Sequence, residues 1–98
     1  MKPTTNALLQ TLQQTVLETG VSLRTSLVEV ATYAEQQGDR LLAAQQAGEP
    51  GMDAAVLAAR DAIALHAGMG AVHEEDALFA RVRGVIHGFL TVLLAGLA

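Results

Sequence analysis

Between Pro3 and Gly48 the chain has no proline, and a single apolar phase runs through the whole interval. With successive residues about 100° apart on a helix, Leu9, Leu12, Val16, Leu23, Leu27, Val30, Ala34 and Leu41 fall in one narrow stripe. Gly20 and Gly38 would each weaken a helix by about 1 kcal/mol relative to Ala, but both lie at the edge of the stripe, and its phase does not slip at either. The spacing predicts one long helix from about Thr4 to Ala47, with close contacts at the glycines. At 1.5 Å per residue it would be about 63 Å long, more than the width of a compact domain of this size. A second, weaker stripe of Leu17, Val21, Val28 and Leu42 lies roughly 120° from the first and implies a second set of neighbours.

The strongest breaker cluster is AGEPGMD, residues 47–53, where Gly48, Pro50 and Gly51 stand together and Asp53 suits the positive start of a following helix. A turn is expected at 48–51 and a helix at about 52–67. Met52, Val56, Ala59, Ile63 and Gly70 then share one face, whereas Leu78, Val82, Val85, Ile86, Phe89, Leu93 and Gly96 share another, rotated by roughly 120°. The phase changes within HAGMGAVHEED, residues 66–76. Gly68 and Gly70 supply residues able to leave a helix, and His66 sits in the preceding turn. His73 can cap the next helix, with Glu74, Glu75 and Asp76 where its dipole favours anions. A break is therefore expected at 68–72 and a last helix at about 73–97. The fold class read from this pattern is all-α and a single domain over 1–98: a long N-terminal helix folded back on two shorter ones as a helical hairpin, which pairs into an oligomeric helical bundle.

Composition supports this fold class and excludes several functions. Half the residues are apolar (51%) but only 3% are aromatic, so the interior is built from the small aliphatic residues that suit helix packing. A net charge of -4 offers no footprint for nucleic acid. The absence of cysteine excludes disulfides, zinc-thiolate sites and thiol chemistry, and makes a reducing cytoplasm the expected setting. The first residues lack the apolar core of a signal peptide. A single lysine beside several arginines, with abundant alanine, fits a GC-rich bacterial genome.

GVIHGFLTVLLAGLA, residues 84–98, is apolar but shorter than the roughly 20 residues of a membrane span. Val85, Ile86, Phe89, Val92, Leu93 and Leu97 form a surface broader than one hairpin partner can cover. They are the expected interface with a second subunit, a dimer being favoured.

The histidines raise the one chemical possibility. His66 and His73 are seven residues apart and His87 lies two heptads beyond His73. Two helical turns separate neighbours in such a column by about 10 Å, too far for one metal without a bend or another chain. A bend at the glycines, or an oligomer, could gather His66 and His73 with Glu74 into a metal site, and Met69 could complete a copper or haem set. No glutamate stands three residues before a histidine, as bundle metal sites commonly require. Ser22 and Ser26 have no nucleophile elbow around them, the lone Lys2 excludes a phosphate-cradling loop, and Arg24, Arg60, Arg81 and Arg83 are scattered. Gly84-x-x-x-Gly88 favours close helix contact rather than chemistry. With no catalytic residues and no cofactor indicated, the expected function is that of a non-enzymatic, homo-oligomeric interaction module: a scaffold, adaptor or chaperone-like bundle. The alternatives are a metal- or haem-binding bundle using His66 and His73, and a membrane-interface protein using Phe89 to Leu97.

Overall fold

Ser26 decides the architecture. Its backbone is extended (φ -61°, ψ 144°) and its Oγ accepts the Glu29 N–H at 3.2 Å, so a helix begins at Leu27 rather than passing through. The computed structural model of the chain describes residues 1–19, 26–67 and 77–96. Among them the backbone forms helices α1 (Pro3–Thr19), α2 (Leu27–Gln46), α3 (Met52–His66) and α4 (Ala77–Leu94). The single helix expected over Thr4 to Ala47 is therefore two helices. Gly20 itself lies outside the described residues.

The phase hid the break for a geometric reason. Leu12 and Val30, both fully buried, are 18 residues apart, which is five turns of 3.6 residues. An interruption spanning a whole number of turns leaves the apolar stripe in register, so the periodicity cannot reveal it. The local signal was Ser26-Leu27-Val28-Glu29, the sequence of a capping box.

The second reversal shows its chemistry in full. Gly48 adopts φ +72°, its N–H bonding to the Gln45 carbonyl (3.0 Å), while the Glu49 N–H bonds to the Ala44 carbonyl (3.1 Å). This is a Schellman stop, which needs a left-handed residue that only glycine adopts without strain. Gly51, at φ +76°, then starts α3, with Asp53 in its first turn. At the other end of the chain α4 stops at Leu94, short of the expected end near 97. There Gly96 takes φ +78° and its N–H bonds to the Leu93 carbonyl.

The four helices run alternately up and down. Lys2 meets Asp39 and Glu18 meets Arg81. Tyr33 stacks on His66, and Asp61 meets Arg83. Each helix lies beside its neighbours in sequence, and α1 closes the ring against α4. The section is a flattened rhombus, because α2 and α4 also touch across it. Gly38 permits that approach: a Cβ built there would run into Leu93 Cδ2 and rest on the Phe89 ring.

The core follows from this arrangement. Leu8 and Leu12 of α1, Val30 and Ala34 of α2, and Ile63 and Ala64 of α3 surround Phe79, Val82, Ile86, Phe89, Leu90 and Leu93 of α4. Ile86, Phe89 and Leu93, expected in a subunit interface, are covered by the chain's own helices. That expectation allowed α4 one covering partner, whereas the fold supplies three. Val85 is half-buried, Val92 is 40% exposed, and Leu97 lies outside the described residues. In the weaker stripe Leu17 and Val28 remain exposed, at 78% and 54%, and Leu42 is half-buried.

Candidate functional site

The side of α4 turned away from the core carries small side chains, with His87 on one flank and Arg81 on the other as the large ones. Ala80, Gly84, His87, Gly88, Thr91 and Ala95 are all exposed and recur at helical spacing. A Cβ added at Gly84 or Gly88 would find nothing within 4 Å. The helix backbone is thus bare along a low ridge, with an apolar groove on each flank.

On the α1 side Thr4, Ala7, Leu8 and Thr11 face Gly84, Val85, Gly88, Phe89 and Val92 across a groove of about 310 Å³. A wider groove of about 530 Å³ lies on the α3 side, formed by Gln45, Met52, Asp53, Val56 and Leu57 with His87, Thr91, Leu94 and Ala95. Beyond it Arg60 and Arg83 join Ala80, Gly84 and His87 around a third depression of about 290 Å³.

Charge is unevenly placed around this face. Arg60 Nε donates to Asp61 Oδ1 at 2.9 Å, and Arg83 Nε lies 3.3 Å from the same oxygen. The Arg83 guanidinium also stands 5.2 Å over the Phe79 ring. Two arginines therefore share one carboxylate and leave the α3 edge positive beside the first turns of α4. Asp53, next to the last turns, makes the other end of the same edge negative. Tertiary structure has brought together two arginines that look scattered in the sequence.

Along the α1 edge the charges are paired. Arg81 donates to Glu18 at 2.5 Å and, with Gln14 Nε2 at 3.1 Å, holds the Glu18 carboxyl below its ordinary range. At the opposite end Glu35 of α2 caps the start of α1. The Thr5 hydroxyl, the Lys2 N–H at 3.0 Å and the nearby N-terminal and Lys2 charges hold its carboxyl below the usual range. Thr5 is fully buried, so this clip lies at the base of the α1–α2 contact.

Of the histidines, His66 and His87 stand at different ends of α3. His66 ends α3 with its ring stacked on Tyr33, centroids 4.2 Å apart and planes 11° from parallel. His87 stands on α4 in the α3-side groove. His73, Glu74 and Met69 lie outside the described residues. Among the described residues no three His, Cys, Asp or Glu side chains stand close enough to hold a metal ion. Ser26 is engaged as a helix cap, and Ser22 lies outside the described residues. No described helix is long and apolar enough to cross a membrane.

No known protein family, curated protein or solved structure matches the chain. The functional reading rests on the geometry of α4 alone. The sequence search for a contact surface chose the large apolar residues of this helix. Of these Val92 is exposed and Val85 half-buried beside the groove, and the most open positions are the small ones, signalled by the Gly84-x-x-x-Gly88 spacing.

Proposed function

We propose that this chain acts by binding protein: a small helical bundle serving as a non-enzymatic interaction module, with the bare ridge of α4 and its flanking grooves as the docking surface. The observation that carries this reading is the pair of glycines at 84 and 88 with open space above them. Glycine within a helix costs about 1 kcal/mol relative to alanine, and here no contact among the described residues offsets that cost. A helix or strand laid across the ridge would offset it, since its backbone can approach α4 closely while its side chains enter the apolar grooves. The bundle itself is the rigid support for that surface.

A photo-crosslinking residue at Gly88 tests the reading in the cell of origin, with the same residue at exposed Gln36 on α2 as control. Protein adducts are expected at 88 and not at 36. Equal yields at the two positions, or none at 88, would defeat the assignment of this face.

A further inference from the structure

We infer that the occupant of the α4 face is a second copy of the same chain, with the two α4 helices packed antiparallel across a two-fold axis. The inference rests on the reading of that face as a protein-docking surface and adds the identity and orientation of the partner.

Three features favour this arrangement. The first is the symmetry of the ridge. In an antiparallel pair centred at the level of Ile86, Gly84 of one copy faces Gly88 of the other, so the two bare backbone segments meet twice about the axis. The second is the polarity of the α3 edge. Its positive end, where Arg60 and Arg83 share Asp61, lies beside Ala80 and Gly84, and its negative end, Asp53, lies beside Thr91 and Ala95. Turning a second copy end for end brings Asp53 of each toward the arginines of the other. A parallel pairing would set like ends at the same level. Complementary charge thus selects the antiparallel orientation as well as the partner.

The third feature is size. The strip available is about 27 Å long for an 18-residue helix and about 20 Å wide for two interhelical spacings. That makes on the order of 550 Å² per copy, at the lower edge of specific interfaces. An area this small suits a reversible dimer rather than an obligate one, in keeping with a core that the single chain completes for itself.

Sedimentation velocity across a wide concentration range is the test, with circular dichroism as the check on folding. The wild type should show a monomer–dimer equilibrium. G84L/G88L should be monomeric throughout with thermal stability no lower than wild type, because both positions are exposed and a Cβ at either meets no described residue. D53R should weaken association by about tenfold, since symmetry counts each lost contact twice, and D53R/R60D should recover part of the loss.

Because the chain has no cysteine, orientation can be read from engineered disulfides. A mixture of A80C and T91C chains should give mainly the mixed dimer. A wild type that stays monomeric at every concentration overturns the inference, as does a G84L/G88L variant that associates like wild type. Predominant disulfides between identical positions would show a parallel pair and overturn the orientation. A monomeric chain that still gives Gly88 adducts with other proteins would retire the second copy as occupant while leaving the docking face intact.

Discussion

Two sets of helical glycines in this molecule have opposite surroundings. Gly38 is buried on α2 where that helix meets α4, against Leu93 and Phe89. Gly84 and Gly88 stand exposed on the outer side of α4, with no described residue within 4 Å of an added Cβ. Each carries the same propensity cost of about 1 kcal/mol relative to alanine. At Gly38 the cost is offset within the chain, because the missing side chain lets α2 and α4 come together. At Gly84 and Gly88 no described residue of the chain stands within 4 Å of where a Cβ would be, and the proposed docking contact is what would offset the cost. The lesson is that a glycine's role in a helix is set by what a Cβ would meet, which the sequence pattern alone does not show.

The comparison can be broken most severely from the inner side of α4. Ile86→Ala should cost about 3 kcal/mol, or a fall in Tm of about 15 °C, because it leaves a cavity in the centre of the core. A loss below about 1 kcal/mol in chemical denaturation would mean that Ile86 is not enclosed as described. Gly38→Ala should come next. The overlap with Leu93 costs about 2 to 3 kcal/mol, and the helix-propensity gain of about 1 kcal/mol recovers only part of it. Thermal melts showing G38A at or above wild-type stability would remove one half of the comparison.

On the outer side the sign reverses. Gly88→Ala, measured at low protein concentration, should stabilise the fold by about 1 kcal/mol. Destabilisation there would mean that the space above Gly88 is already filled. The smallest effect is that of acid on the α1–α2 clip, which involves neither set of glycines. The carboxyl of Glu35 titrates lower in the folded chain than in the unfolded one. Its contribution is therefore present above the ordinary glutamate range and lost as pH falls through the lowered folded value. Melts recorded from about pH 6 down to about pH 3 should show a shallower loss of Tm in Glu35→Gln than in wild type. Superimposable slopes would discard the clip as a source of acid sensitivity.

How much of this was legible in the sequence varied with the kind of signal. The reversal at 48–51 could be located because Gly48 and Gly51 both need positive φ, which marks itself in residue type. The division of the first long segment could not be read from periodicity, since Leu12 and Val30 are a whole number of turns apart, although Ser26 and Glu29 did mark it locally. The apolar character of α4 was plain. Three of the residues expected at a subunit contact, Ile86, Phe89 and Leu93, lie in the chain's own core, because the sequence pattern counted one helix too few on the N-terminal side. The glycine spacing of the candidate face was visible, but its exposure was not, because exposure depends on which way α4 turns within the bundle.

The closed ring of helices also sets an order of assembly. α2 and α3 are joined through residues 47–51, so their contact closes a very short loop. The meeting of α1 with α4 joins groups as far apart as Glu18 and Arg81, 63 residues along the chain. Loop-closure entropy makes the second event costlier by about 2 kcal/mol. Pairs of sequence neighbours such as α2 and α3 are therefore favoured early, and the closing of α1 on α4 comes late. Truncating Leu8 or Leu12 of α1 should chiefly accelerate unfolding, while truncating Ile63 of α3 should slow folding itself.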